Sequence, residues 1–107
     1  MAKKKLTEKQ FESLIEEATI DCYDEGECRV GFLTMIQDNI LTPFKAKLIG
    51  EIVDVVDIDG DDRRIQAIIK RQDKKYPVNI LDLIIDEKEV KGTVWVNAYR
   101  RWELGQE

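Results

Sequence analysis

The spacing of apolar residues changes at Pro43, and this change limits the possible folds more than any other feature of the chain. Before it, apolar side chains recur every three or four positions; after it, they alternate with polar ones. A helix advances about 100° per residue and a strand about 180°, so each pattern keeps one buried face only in its own secondary structure. The chain therefore reads as helices followed by strands. With 107 residues, both halves are expected to share one domain, residues 1–107, and one core.

Thr7 is placed as an N-cap, with Gln10 as its capping-box partner and Leu6 and Phe11 as a hydrophobic staple. Residues 1–6 are expected to be flexible. Phe11, Leu14, Ile15, Ala18 and Cys22 form one apolar face, Glu12, Glu16 and Glu17 face solvent, and the first helix should end near Tyr23. Asp24 and Glu27 can cap a second helix that buries Val30, Leu33, Ile36 and Ile40. Its end is expected at Asp38-Asn39, because Asn tolerates left-handed backbone and Pro43 blocks continuation, which bounds a helical part at residues 7–40.

Phe44, Ala46 and Leu48 then alternate with Lys45 and Lys47. Strands are expected over 51–58, over 64–71 with Ile65, Ala67 and Ile69 on one face, and within 76–85, with turns at Asp59-Gly60 and Gln72 to Lys75, and with Pro77 on an edge. Four or five short strands in residues 44–86 suggest a small SH3-like antiparallel β-barrel. In the tail, Val90, Val94, Ala98 and Trp102 keep a helical step, giving a C-terminal helix over 87–104 that closes at Gly105. Trp95, Tyr99 and Trp102 read as a core stripe in preference to a base-stacking platform. The fold class is α+β: two N-terminal helices, the small barrel and a C-terminal helix.

Several function classes fall away. Histidine is absent, which removes the usual general base and the commonest transition-metal ligand. No nucleophile stands beside a usable base, and no Gly-rich phosphate loop or C-x5-R loop occurs, so the chain is not expected to be an enzyme. Acids outnumber bases 22 to 17, which disfavours nucleic acid as partner. Neither a signal-peptide region nor a run of about 18 apolar residues is present, so a cytoplasmic protein without membrane association is expected. Cys22 and Cys28 should be reduced there; their spacing fits neither C-x-x-C nor half of a zinc set, and they read as core thiols.

The acidity is concentrated. Glu16, Glu17, Asp21, Asp24, Glu25, Glu27 and Asp38 are opposed, between residues 16 and 38, only by Arg29. Hard cations such as Ca²⁺ take 6–8 oxygen ligands, and Asp38-Asn39 at a chain reversal offers side-chain and main-chain oxygens together. Asp21, Asp24, Glu25 and Glu27 add carboxylates whose mutual repulsion a cation would relieve. The same acids also suit a helix cap and a solvated face. A second run, Asp57, Asp59, Asp61 and Asp62, fails as an EF-hand because Asp62 stands where that loop needs Gly and Ile68 where it needs Glu. It is a solvated turn or a weaker cation site. Arg63, Arg64, Lys70, Arg71, Lys74 and Lys75 motivate the alternative of a nucleic-acid or protein interaction module on a small barrel, with no specific protein partner identified.

Residues 21–44, read as Asp-x-Tyr, Gly-x5-Gln-Asp-Asn-Ile and Pro-Phe, resemble the cyanobacterial-type calcium-binding protein family, small bacterial proteins without EF-hands. The order of segments is similar too: Asp21 to Tyr23, Gly31, Asp38 to Phe44, Gln72-Asp73 and Trp95 to Trp102. The resemblance spans residues 20 to about 104. It implies cytosolic Ca²⁺ binding by surface carboxylates, with the Asp of the Asp-Asn pair, here Asp38, as principal ligand. The chain departs from the family pattern in having Phe32-Leu-Thr-Met-Ile after Gly31 where a run of aromatics is frequent. It also carries Gln37 where an acid often precedes the Asp, and a shortened loop between Leu48 and Glu51.

Overall fold

The computed structural model describes residues 7–105; the expectation for residues 1–6 lies outside them. Helix α1 (Glu8–Ala18) opens on the expected capping box: the Thr7 hydroxyl accepts the Gln10 amide at 3.1 Å, and the Gln10 side chain accepts the Thr7 amide at 2.8 Å. It ends earlier than its apolar spacing suggests. The Thr19 hydroxyl donates to the Ile15 carbonyl at 2.7 Å and Asp21 turns to φ 59°, so Cys22 sits in a turn and not on the helix. The cause is Gly31. A Cβ there would stand 2.1 Å from the Ala18 carbonyl oxygen, so the end of α1 presses on a residue of the next helix that has no side chain.

Helix α2 (Glu25–Asn39) is capped by Asp24, whose Oδ1 accepts the Glu27 amide at 2.8 Å. Leu33, Ile36 and the following Ile40 are buried as expected, but Val30 is 42% exposed and Phe32 fully buried. The reason lies in the partners of α2, which packs against the C-terminal helix as well as the sheet and so buries a wider arc than one stripe. It ends at Asn39 as expected, but without a left-handed residue there. Asn39 stays helical, its Nδ2 donating to the Met35 carbonyl at 2.7 Å, and Ile40 leaves the helix in extended conformation.

Strands β1 (Phe44–Leu48), β2 (Glu51–Gly60), β3 (Ile65–Arg71), β4 (Lys74–Asn79) and β5 (Leu83–Ile84) form one antiparallel sheet in the order β4-β3-β2-β1-β5. The sheet is open. β4 pairs only with β3 and the two-residue β5 only with β1, so the closed barrel expected from strand number is not formed. A 3₁₀ turn, Ile80–Asp82, separates β4 from β5. Pro77 lies on the edge strand β4, where its missing amide is harmless. A bulge between Val55 and Asp57 lets Val53, Val55 and Ile58 all face the core although their parity differs. The β2–β3 turn falls after Gly60, two residues beyond the expected Asp59-Gly60 turn, because Asp61 Oδ1 accepts the amides of Arg63 at 2.8 Å and Arg64 at 3.2 Å.

Helix α3 (Thr93–Leu104) starts later than residue 87, after Gly92 at φ 88°, whose missing side chain admits the Asn39 carbonyl. Trp95, Tyr99 and Trp102 are buried, with Phe32 lying 5.6 Å from Tyr99 and 5.4 Å from Trp102 between ring centroids. They form the expected core stripe. Arg100 fastens α3 to the 3₁₀ turn and the start of β5 through the carbonyls of Leu81 (3.1 Å) and Leu83 (3.4 Å). No helix among the described residues is long and apolar enough to cross a membrane.

Candidate metal centre

The acids gather at the two ends of α2, and the fold brings part of the second acidic run to each end. At the N-terminal end, Asp24 caps the helix, and Glu27 Oε1 accepts the Tyr23 amide at 3.2 Å, one residue earlier than a regular capping box. Asp21 and Glu25 are exposed beside them. The β2–β3 turn folds over this end. Arg29 Nη1 donates to the Asp62 carbonyl at 2.7 Å, and a Cβ on Gly26 would stand 3.0 Å from the Asp62 Cβ. The result is an open groove of about 420 Å³ lined by Cys22, Asp24, Gly26, Glu27, Val30, Gly31 and Asp62.

Arg29 sets that geometry. Its Nε and Nη2 bind Glu103 Oε1 at 2.9 and 2.8 Å, its guanidinium lies 5.3 Å from the Trp102 ring centre, and its remaining donor holds Asp62. The Tyr99 hydroxyl donates to the same Glu103 oxygen at 3.1 Å. Burial, reinforced by the Glu103 charge, pushes Tyr99 up to about 12. One side chain thus ties α2, α3 and the acidic turn together.

At the C-terminal end, Asp38 and Asn39 are exposed. The Asn39 bond to Met35 uses its amide nitrogen, which leaves Oδ1 outside that contact. Gln37 Nε2 donates to the Ile58 carbonyl at 2.8 Å and so fixes α2 against β2. A cavity of about 160 Å³ there is lined by Gln37, Ile40, Thr42, Asp57 and Ile58. Asp57 Oδ1 accepts the amide of Ile58 at 2.8 Å.

The two ends differ electrostatically. A helix N-terminus carries partial positive charge and favours carboxylates alone; a C-terminus carries partial negative charge and unpaired carbonyls and favours cations. Asp24, Glu25 and Glu27 therefore stabilise α2 as they stand. The last turn, by contrast, contains no basic residue and presents Asp38 where a cation would also satisfy the helix end. Among the described residues, no three Cys, Asp or Glu side chains converge as a ready-made metal cage. Asp59 is exposed on β2 opposite Gln66, and Asp61 caps its own turn through the Arg63 and Arg64 amides, which hold its carboxyl below the usual range. Sequence reasoning missed Arg29 and Gln37 as positioning residues. It also missed the pairing of Asp62 with the Asp24 end and of Asp57 with the Gln37 end, since both pairings depend on how the hairpin lies on α2.

The basic residues do not form one patch. Arg63 and Arg64 sit at one end of β3, while Lys70, Arg71, Lys74 and Lys75 sit at the other. Asp54 lies opposite Lys70 and binds Lys45 at 2.8 Å, and Glu51 binds Arg71 at 3.1 Å.

A family model described as "Calcium binding" and built on CcbP-type proteins matches residues 12–103, which include both ends of α2 and the whole sheet. The chain belongs to the CcbP calcium-binding family. The resemblance seen at Asp21 to Tyr23, Gly31 and Asp38 to Phe44 thus extends over nearly the whole described chain. The crystal structure of CcbP from Anabaena is similar in fold, with a TM-score of 0.73 at 20% identity over 95% of this chain and 94% of that one. No curated protein matches the sequence.

Proposed function

We propose that this CcbP-family protein binds Ca²⁺ reversibly as a cytoplasmic buffer or sensor, without catalysis, and that Asp38 is the principal ligand. Membership of the calcium-binding family over residues 12–103 carries the reading. The electrostatics of α2 support the choice of Asp38: its carboxylate and the Asn39 Oδ1 offer hard oxygens at the helix end that favours a cation. Asp57 adds negative charge beside Gln37 in the same region. The opposite group, Asp21, Asp24, Glu25 and Glu27 with Asp62, serves as secondary attraction, since two of its acids already close the start of α2. Asp59 and Asp61 supply at most a weaker event. Such a donor set selects Ca²⁺ over Mg²⁺, which demands a near-ideal octahedron and gives up water reluctantly, and over Zn²⁺, which prefers nitrogen and sulfur.

The test is calorimetric titration of the metal-stripped protein with Ca²⁺ and, in parallel, with Mg²⁺. Ca²⁺ should bind more tightly and should raise Tm, since a ligand at a hundred times its Kd stabilises the native state by about 2.7 kcal/mol. Asp38→Ala should abolish the tightest event, with circular dichroism confirming that the variant is folded. The double variant Asp59→Asn, Asp61→Asn should keep it. Absence of Ca²⁺ heat together with an unchanged melting curve at millimolar Ca²⁺ refutes the function. Loss of the tight event in the hairpin variant with retention in Asp38→Ala inverts the assignment of sites.

A further inference from the structure

Cys22 and Cys28 play no part in the proposed cation site; Cys28 packs against the core as expected, whereas Cys22 lies outside it. Both are half-buried free thiols, one in the turn after α1 and the other in the first turn of α2. The Cys22 thiol donates to the Glu27 carbonyl at 3.4 Å and the Ile20 carbonyl at 3.5 Å, so its sulfur lies over the peptide that leads into Cys28. The Cys22 sulfur also stands 3.7 Å from where a Cβ on Gly31 would lie, and Gly31 sits three residues beyond Cys28 on the same face of α2. Cys22 also lines the open groove at the N-terminal end of α2, which gives a small solute access to it. The turn between them is held by the Asp24 and Glu27 caps, which keep both cysteines beside the start of α2.

We propose that Cys22 and Cys28 form an oxidisable pair that closes into an intramolecular disulfide by exchange with a low-molecular-weight disulfide of the glutathione type. The Cys22 thiolate attacks one sulfur of glutathione disulfide; that S–S bond breaks, and one glutathione departs and takes up the proton Cys22 released. The Cys28 thiolate then attacks the Cys22 sulfur of the mixed disulfide and expels the second glutathione, which takes the other proton. Two protein thiols are oxidised and one small disulfide is reduced to two thiols. The order of attack follows from access. Cys22 lines the groove and Cys28 does not, which makes Cys28 the resolving partner. The closed bond would fix the connection between α1 and α2.

The experiment equilibrates the full chain anaerobically in glutathione redox buffers, quenches it with acid and reads the intact mass. The folded protein should lose the mass of two hydrogens and carry no adduct. Its midpoint in [GSH]²/[GSSG] should lie above that of the same chain in concentrated guanidinium chloride, by up to about 50-fold for so short a loop. Cys28→Ser should stop at a single glutathione adduct on Cys22, and Cys22→Ser should react more slowly at Cys28. A native midpoint no higher than the denatured one overturns the proposal, because it means that the fold does not hold the thiols in bonding geometry. Two stable glutathione adducts, or a disulfide-linked dimer as the main product, overturn it as well.

Discussion

Replacing Gly31 by Ala should destabilise the protein, although the same change in most helix interiors stabilises. Ala is intrinsically better than Gly in a helix by about 1 kcal/mol. Here the new Cβ would lie 2.1 Å from the Ala18 carbonyl oxygen, while ordinary contact begins near 3.4 Å, so the end of α1 must retreat by about 1.3 Å. The atom met is backbone, at a helix terminus already fixed by the Thr19 hydroxyl and by the burial of Ala18. A flexible side chain could yield cheaply; this carbonyl cannot. Overpacking of a close contact costs about 1–3 kcal/mol and sometimes more, and for an unyielding backbone atom the upper part of that range applies. The net loss is then about 1–2 kcal/mol. With an m-value near 1.5 kcal/mol/M in urea, the unfolding midpoint should fall by roughly 1 M. Fluorescence of the buried Trp95 and Trp102 reports the transition. A midpoint that stays level or rises would falsify the claim that α1 is seated on Gly31, and with it the account of why α1 stops at Ala18.

Tyr99 holds its proton more tightly in the folded state, with a pKa of about 12 against 10.0 for an ordinary Tyr, so its contribution to stability is complete below pH 10 and is lost as pH rises from about 10 to 12. Urea titrations should therefore show a steeper alkaline fall for the wild type than for Tyr99→Phe; parallel curves would contradict the Tyr99–Glu103 contact. Ile49 is a β-branched residue at φ 49° in the two-residue β1–β2 turn and is 94% exposed, so Ile49→Asn removes left-handed strain of about 1 kcal/mol without removing packing. Scanning calorimetry should show Tm higher by about 4–8 °C, and a lowered Tm would show that Ile49 makes a contact that offsets the strain. Because Asp54 and Glu51 interleave with the basic residues of β3, oligonucleotides should not be retained at physiological salt. Retention that vanishes on reversing Lys70, Arg71, Lys74 and Lys75 and weakens steeply with salt would restore the nucleic-acid alternative.

Local features of the sequence determined local structure. The Thr7 and Asp24 caps, the helical step through Leu33, Ile36 and Ile40, the alternation through Ala46 and through Ile65, Ala67 and Ile69, and the edge position of Pro77 all appear as read. Each depends on residues within a turn or two, where capping geometry and periodicity act without help from the rest of the chain. The spaced residues Asp21, Tyr23, Gly31, Asp38, Asn39, Pro43 and Phe44 also pointed to the calcium-binding family that the match over residues 12–103 shows.

Where distant segments meet, the tertiary structure decided. α1 stops at Ala18 because α2 presses on it at Gly31, a contact invisible to the periodicity that carries on to Cys22. Asn39 remains helical because Gly92 admits its carbonyl and its own side chain bonds back to Met35. The bulge at Val55 and Asp57 reverses the parity of β2 and places Ile58 in the core beside the Gln37 contact, which moves Asp57 to the C-terminal end of α2. Arg29, a lone base within an acidic run, draws the Asp62 turn onto the other end. The acids of α2 and their places at its two ends were legible in the sequence, but the division of the second acidic run, Asp62 to one end and Asp57 to the other, was not. That division follows from the docking of the hairpin on α2, and docking is fixed by side-chain and carbonyl contacts between segments far apart in the chain.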